Sequence, residues 1–218
     1  MTHAEYRARL KGRACYVGLD LSSTSDLTAL VGVFPDETGF DVLPEFFVPV
    51  ERIRERERRD RVPYPQWAAD GLITATPGNV IDYDYVRNVL HEWAAEFAVK
   101  TIGFDPWNAT DLMTRLQEQD GLTCVAVRQG FASLSAPSKK LEAAILSKTL
   151  RHNGHAVLRW CVSNVALETD AAGNIKPSKS KSTERIDGVV ALVLAIDQMD
   201  RHYHAAKPAA YQMLVFGG

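Results

Sequence analysis

Two aspartates stand at the ends of short apolar runs, and a third opens the most regular helical pattern in the chain. Asp20 ends the run CYVGLD, Asp105 ends TIGFD, and Asp187 lies in RIDGVVALVLAIDQM. If the two runs are neighbouring strands, both carboxylates reach one edge of a sheet, and Asp187 can lean toward them from the first turn of its helix. Three anions this close repel one another and cannot all stay ionised without compensation.

Divalent cations would supply that compensation. Magnesium and manganese prefer carboxylate oxygens and water as ligands, and usually arrive with the phosphates of a substrate. Two such ions about 4 Å apart can activate a water and stabilise the leaving oxygen of a phosphodiester. Taken singly, each acid is more often a turn or cap residue: Asp105-Pro106 opens turns well, and Asp187 suits a helix N-terminus without any metal. The joint pattern predicts a metal site with water as the nucleophile.

The composition is that of an ordinary globular protein. The 218 residues are 46% hydrophobic and 24% charged, enough for one sizeable domain with a full core. No apolar run is long enough to span a bilayer, and residues 1–13 lack the apolar core of a secretory signal, so we expect a cytoplasmic protein. Cys15, Cys124 and Cys161 have neither zinc-ribbon nor disulfide spacing and are predicted to be reduced core residues.

Positive charge is concentrated in two segments, although the formal net charge is −2. This net charge argues against a protein whose entire surface binds nucleic acid, but it allows a local basic face. In residues 51–61 the arginines are balanced by Glu and Asp, which is typical of a solvated loop or helix face. In residues 176–185 the lysines are nearly unopposed, which makes this segment the more interesting one.

The hydrophobic pattern predicts a mixed sheet flanked by helices. The expected strands are 14–20, 27–34, 40–50, 101–105, 122–129 and a segment beginning at Ala156. The expected helices are 82–97, 111–121, 137–152 and 185–199, with an irregular insertion at 62–78 and a hairpin turn around 170–173. Early antiparallel strands followed by strand–helix alternation indicate an α/β domain with a mixed central sheet.

The order of these motifs resembles that of a viral protein family. The C-terminal nuclease domain of the large terminase subunit of tailed bacteriophages has a similar series, represented here by VGLDLSSTSDLTAL, TIGFDPWNA, APSKKLEAAILSKTLRHNGHAVLRWCVSN and RIDGVVALVLA. PYPQWAADGLITATPGNVIDYDYV also resembles the segment that this family places between its first and second acids. The resemblance implies a ribonuclease H-like fold over residues 14–204, with residues 1–13 as a linker or extension and 205–218 as a tail.

The same resemblance implies a function. It is that of a metal-dependent endonuclease that cuts concatemeric double-stranded viral DNA during genome packaging, with little sequence specificity. Asp20, Asp105 and Asp187 would ligate Mg²⁺ or Mn²⁺, as two ions. In the full protein the implied partners are an N-terminal packaging ATPase, the small terminase subunit and the portal, with no membrane, in the cytoplasm of an infected bacterial host.

The resemblance also suggests where the DNA lies. By position in the family, residues 164–180 resemble a β-hairpin near the active site, so Lys176, Lys179 and Lys181 are expected to contact phosphates. Asp26 is expected either to support the first acid or to occupy a turn. The sequence contains no G-x-x-x-x-G-K-[ST] phosphate loop, so the chain is either an isolated nuclease domain or a protein that lacks the motor. We favour the isolated domain and expect it neither to hydrolyse ATP nor to translocate DNA.

Two other functions stay open at this point. VGLDLSSTS also resembles the first phosphate-binding hairpin of actin-like and sugar-kinase-like ATPases, but such a kinase needs a second comparable domain and further glycine-rich loops. The other alternative is a non-catalytic domain that docks DNA or the portal. The loss of any of the three acids would favour it, and all three are present.

Overall fold

The computed structural model describes residues 1–22, 27–107 and 109–203. The strands are β1 (Ala14–Asp20), β2 (Thr28–Asp36), β3 (Gly39–Pro49), β4 (Thr74–Thr76), β5 (Ala98–Phe104), β6 (Cys124–Ala126), β7 (Leu150–Arg151), β8 (Leu167–Thr169) and β9 (Ile175–Pro177). The helices are α1 (His3–Ala8), α2 (Ile53–Asp60), α3 (Tyr64–Ala69), α4 (Tyr83–Glu96), α5 (Thr110–Glu118), α6 (Phe131–Leu146), α7 (Ala156–Asn164) and α8 (Asp187–Tyr203), with a 3-10 helix at Val50–Arg52. None of these helices is long and apolar enough to cross a membrane.

Seven of the described strands form one mixed sheet, in the order β4-β3-β2-β1-β5-β6, with β7 paired to the start of β3. β1, β2 and β3 are antiparallel neighbours, whereas β5 runs parallel to β1 and β6 parallel to β5. This confirms the predicted change from antiparallel to parallel pairing. It also means that β1, β3, β5 and β6 all end at the same edge of the sheet, which we call the carboxyl edge.

Helices cover both faces of the sheet, which explains why the central strands are apolar almost throughout. On one face Val17 and Leu19 of β1 pack in a cluster with Trp93 of α4 and Leu112 of α5. On the other face Tyr16 belongs to a second cluster, which includes α6, α7 and most of α8. Burial on both sides therefore replaces the alternating pattern of a half-exposed strand with a continuous one.

The position of α8 depends on a glycine of β1. A Cβ atom at Gly18 would lie 1.9 Å from the backbone oxygen of Ala191 and 2.5 Å from the amide nitrogen of Ala195. The helix and strand backbones are thus closer than any side chain on Gly18 would allow. This contact fixes the axis of α8 and places Asp187, its first residue, beside the end of β1.

The N-terminal residues pack against the sheet through a polar cluster around Asp41. Its carboxylate accepts hydrogen bonds from the Tyr6 hydroxyl at 3.0 Å, from Arg9 at 2.9 Å, from Arg13 at 2.7 Å and from Arg151 at 3.1 Å. Burial by itself raises the pKa of Asp41, but these hydrogen bonds lower it to about 2. The cluster ties α1 to β3 and to β7.

Three predicted segments differ from the structure. Residues 156–164 form α7 rather than a strand, because His155 caps the helix by accepting from the Leu158 amide and the buried residues recur at helical spacing. The helix predicted at 137–152 is α6, which begins at Phe131, contains Pro137 and ends at Leu146. The expected insertion at 62–78 contains α3 and β4, whereas the predicted hairpin around 170–173 is confirmed as β8–β9.

Candidate active site

The first two acids lie side by side at the carboxyl edge, as their strand positions predict. β1 and β5 are parallel, and their register pairs Leu19 with Phe104, so Asp20 and Asp105 follow at adjacent strand ends. Asp20 is buried and Asp105 is partly exposed. The sheet therefore brings together two carboxylates that are far apart in the sequence.

A lysine lies between the third acid, Asp187, and the first, Asp20. Asp187 is buried at the start of α8, and its Oδ1 lies 2.9 Å from Lys179 Nζ. The same Nζ lies 2.9 Å from Oδ2 of Asp20. Lys179 belongs to the loop between β9 and α8, and its side chain is 43% exposed, so the ammonium enters the site from the solvent side. One cation thus bridges two buried carboxylates.

The charges of this cluster are strongly coupled. Burial, together with the nearby charges of Asp187 and Asp105, raises the pKa of Asp20 to about 7 even though Lys179 acts to lower it. Burial lowers the pKa of Lys179, but the two carboxylates more than offset this and raise it above its usual value. The ammonium therefore stays charged at neutral pH, while Asp20 is held close to protonation. A divalent cation in place of the ammonium would lower the pKa of Asp20 further and keep this carboxylate ionised.

Asp105 is the most exposed of the three acids. Oδ1 of Asp105 accepts a hydrogen bond of 3.0 Å from the amide of Trp107, which orients the side chain in a turn after β5. Among the described residues, no three His, Cys, Asp or Glu side chains are arranged as a complete metal site. The donors nevertheless suit a hard divalent cation, because all are carboxylate oxygens and Asp20 and Asp187 already share a cation position.

The lysines predicted to contact DNA have three different environments. Lys179 lies between the carboxylates. Lys176 Nζ is 3.6 Å from Oε2 of Glu168 and 5.1 Å from the ring centre of Phe131, so it is held on the hairpin. Lys181 is exposed. The predicted supporting acid, Asp26, lies outside the described residues.

A charged cluster that the sequence pattern did not predict lies beside this site. Residues 51–61 were expected to be solvated, but Arg56 and Asp60 on α2 are buried. Asp60 accepts from Arg59 at 2.5 Å and from the Tyr64 hydroxyl at 2.8 Å, and Nε of Arg185 lies 4.0 Å away. The signal in the sequence is the i, i+3, i+7 spacing of Ile53, Arg56 and Asp60, which defines one helix face.

Burial by itself raises the pKa of Asp60, but hydrogen bonds from Arg59 and Tyr64 bring it below its usual value. Asp60 therefore stays ionised and holds the guanidinium groups around it. The cluster reaches the carboxylates through Arg185, which lines a cleft of about 40 Å³ together with Lys179, Glu184, Ile186 and Asp187. A larger cleft of about 310 Å³, lined by Phe40, Met199 and other mainly apolar residues, lies at the opposite edge of the sheet, away from this chemistry.

One family of proteins matches this chain over most of its length. The sequence profile of the terminase large subunit endonuclease domain matches residues 6–202. The chain belongs to this family. Relatives of this terminase domain include the large terminase subunit of Enterobacteria phage HK97, which is 38% identical over 187 residues, covering 84% of this chain and 37% of the relative. Protein YmfN of Escherichia coli K12 is 30% identical over 202 residues, covering 86% of this chain and 44% of the relative.

Solved structures confirm the predicted ribonuclease H-like fold of this terminase domain. The crystal structure of the HK97 large terminase superposes with a TM-score of 0.78 at 35% identity, covering 90% of this chain and 43% of that one. The large terminase nuclease of thermophilic phage G20c, solved with bound magnesium, has a TM-score of 0.55 at 11% identity and covers 86% and 84% of the two chains. The chain spans about two fifths of the length of the curated relatives it matches.

Proposed function

We propose that this terminase domain is a metal-dependent endonuclease that cleaves concatemeric double-stranded viral DNA during genome packaging. The observation that carries the proposal is the pair of buried carboxylates, Asp20 and Asp187, that share one cation at the edge where Asp105 also lies. Membership of a family described as an endonuclease domain supports the class of reaction.

Asp20, Asp105 and Asp187 are the proposed ligands of two Mg²⁺ or Mn²⁺ ions. The use of divalent cations is supported by relatives of the same fold, because the G20c nuclease was solved with magnesium and also with cobalt. When bound, such ions supply Lewis-acid chemistry that activates a water and stabilises the leaving oxygen of a phosphodiester. The chain itself then needs to hold the ligands and the DNA in position.

The fold orients each ligand by a different means. Asp20 is fixed by strand pairing, Asp187 by the close packing of α8 on Gly18, and Asp105 by the hydrogen bond from the following turn. Lys179 holds the two buried carboxylates together and must give up its place for a metal ion to bind both. Its long flexible side chain can then reach toward a phosphate, which is the role predicted from the sequence.

The substrate contacts that we propose are mostly to phosphates, and this accounts for the low sequence specificity. Lys176, Lys179 and Lys181 are proposed phosphate contacts, and Asp26 a supporting acid. In the full terminase, we propose that this domain works with a packaging ATPase, the small terminase subunit and the portal in the cytoplasm of the infected host.

Plasmid cleavage tests the proposal. Supercoiled DNA would be incubated with the purified domain in EDTA, Mg²⁺ or Mn²⁺, alongside Asp187→Asn and the control Asp70→Asn, which changes an exposed carboxylate on α3's C-terminal turn. We expect metal-dependent nicking and linearisation by the wild type and by Asp70→Asn, and none by Asp187→Asn. Equal cutting by all three proteins would show that the nuclease site is elsewhere.

A further inference from the structure

Along the carboxyl edge, a helix, an acid and a tryptophan follow one another on neighbouring strand ends. α2 follows the end of β3, Asp20 ends β1, and Trp107 follows the end of β5, with the start of β2 between the first two. Neighbouring strands are about 4.8 Å apart, so this stretch of edge is about 15 Å long. That length corresponds to about four base steps of duplex DNA at about 3.4 Å each. DNA lying over the carboxylates would therefore meet both flanking structures.

On the β3 side, two arginines lie around Asp60 of α2. Arg185 lines the same small cleft as Asp187, and its guanidinium is near Asp60 of α2. Arg59 pairs with both oxygens of the same Asp60, donating from Nε to Oδ1 at 2.5 Å and from Nη2 to Oδ2 at 3.2 Å. Both arginine side chains are partly exposed, so a ligand on the surface can reach them. The two guanidinium groups are thus gathered around one anchor beside the acids.

The anchor is rigid because its inner members are buried. Arg56 and Asp60 are on the core-facing side of α2, and Tyr64 donates its hydroxyl to Asp60 from the following helix. A guanidinium that is already oriented loses less conformational entropy when it binds a ligand, and its five N–H donors allow it to contact a phosphate while it keeps its bonds to Asp60. The lysine that enters the acid cluster, Lys179, is held between two carboxylates, Asp20 and Asp187, rather than beside one.

We propose that Arg59 and Arg185 bind a phosphate of the DNA backbone close to the phosphate that is cleaved. The ligand class is a phosphodiester of duplex DNA, and the inference rests on the proposed nuclease function. In this arrangement the acids act on one phosphate while the arginines hold the strand on the β3 side.

Binding of a labelled 30-base-pair duplex, followed by fluorescence anisotropy in EDTA so that no cleavage occurs, tests this. The variants are Arg59→Gln and Arg185→Gln. Arg54→Gln is the matched control, because Arg54 is on the same helix but exposed and paired with Glu57. Loss of one phosphate contact lowers the salt slope of the binding constant by about 0.9, which is about an eightfold loss of affinity at 0.1 M salt.

We expect this loss in both cluster variants and wild-type binding in Arg54→Gln, with circular dichroism showing that all three are folded. If the wild type cuts plasmid DNA while Arg59→Gln and Arg185→Gln bind like Arg54→Gln, the arginine site is refuted and the nuclease stands. If the wild type neither binds nor cuts DNA, the proposed function fails first. If circular dichroism shows that Arg185→Gln is unfolded while Arg59→Gln is folded, the DNA affinity of Arg59→Gln decides whether the arginine site exists.

An exposed tryptophan lies on the other side of the acids, after β5. Trp107 is 78% exposed, more than any other large hydrophobic side chain in the described part of the chain. Its own amide donates to Asp105, so the indole is tied by the backbone to a proposed metal ligand. A large aromatic surface left in water beside a reaction site is suited to an apolar partner, and the deoxyriboses on the outside of a DNA duplex offer apolar surface.

We infer that Trp107 packs against a deoxyribose of the bound DNA on the β5 side. Trp107→Ala should lower duplex affinity about tenfold without changing the salt slope, and Trp107→Phe should retain much of it, because the contact is apolar and not ionic. The control is Leu146→Ala, which changes a side chain that is 76% exposed at the end of α6, near the opposite edge.

The intrinsic tryptophan fluorescence gives a second test: that of the wild type should change when DNA is added, whereas that of Trp107→Phe should not. The inference would be overturned if Trp107→Ala binds the duplex as tightly as the wild type and the wild-type tryptophan fluorescence does not change when DNA is added.

Discussion

Replacing Lys179 by methionine would test whether Asp20 and Asp187 share a cation position. Methionine keeps most of the side-chain length but removes the ammonium, which lies 2.9 Å from both carboxylates. Removing one partner of a fully buried ion pair costs about 3–5 kcal/mol. The lysine side chain is 43% exposed, so solvent screening reduces the expected loss of unfolding free energy to about 2 kcal/mol. For a domain of this size this lowers Tm by about 6 °C in EDTA.

Lys179→Met should bind a metal ion more tightly than the wild type, although it is less stable without one. In the wild type Mn²⁺ must displace the ammonium, whereas in Lys179→Met the position is open. If the two metal-bound proteins are equally stable, the thermodynamic cycle requires the variant to bind Mn²⁺ more tightly by the same 2 kcal/mol, about 30-fold. Mn²⁺ should therefore raise the Tm of the variant more than that of the wild type.

Thermal unfolding in EDTA and across a Mn²⁺ titration measures both effects. Lys181→Met is the control, because Lys181 is in the same loop but exposed. It should match the wild type in both conditions. A Lys179→Met variant that loses no stability in EDTA, or that binds Mn²⁺ no more tightly than the wild type, would refute a shared cation position.

Three further changes have defined outcomes. Gly18→Ala should cost more than about 3 kcal/mol in urea unfolding, because the new methyl lies 1.9 Å from the Ala191 oxygen and only movement of α8 relieves it, whereas Gly130→Ala meets nothing within 4 Å and should be tolerated. Asp41→Asn should cost about 2 kcal/mol at pH 7, because the pKa of Asp41 is lowered to about 2 from 3.8. A lowered carboxyl pKa stabilises the fold above about pH 4, so the difference between wild type and Asp41→Asn should shrink as the pH falls from 4 to 2. Asp105→Asn can still accept the hydrogen bond of its turn and should keep its stability, yet plasmid cleavage should fall at least about 100-fold, since even outer partners of metal ligands cost 10–100-fold.

The positions of the acids could be predicted because they depend on strong local patterns. The apolar runs that end at Asp20 and Asp105 are buried strands, and the regular spacing after Asp187 is a buried helix. Once β1 and β5 are recognised as parallel neighbours, the acids that follow them must share an edge. The convergence of the three acids therefore follows from element type and order.

Segments with short apolar runs were harder to predict. The segment AVLRWCVSN contains β-branched and aromatic residues that suit a strand, but its buried residues Val157, Leu158 and Cys161 also fit a helix face. Periodicity alone does not separate the two over nine residues. Pro137 suggested a helix start, whereas α6 already begins at Phe131 and accommodates the proline inside.

The chemistry around the acids could not be predicted at all from local patterns. Lys179 was expected at the DNA surface, and its contact with two carboxylates depends on how the loop before α8 folds back over β1. The cluster of Arg59, Asp60 and Arg185 likewise joins two distant segments. The balanced charges of residues 51–61 alone indicated only a solvated loop or helix face, and nothing local linked them to Arg185. Long-range contacts of this kind are set by tertiary packing, not by propensity.

Direct titration with Mn²⁺ by calorimetry tests most simply whether the carboxylates at this edge form a metal centre. The proteins to compare are the wild type, the double variant Asp20→Asn/Asp187→Asn and the control Asp70→Asn, each checked for folding by circular dichroism. We predict binding by the wild type and the control and none by the folded double variant. A double variant that binds Mn²⁺ as the wild type does would contradict the assignment of these aspartates as the metal site.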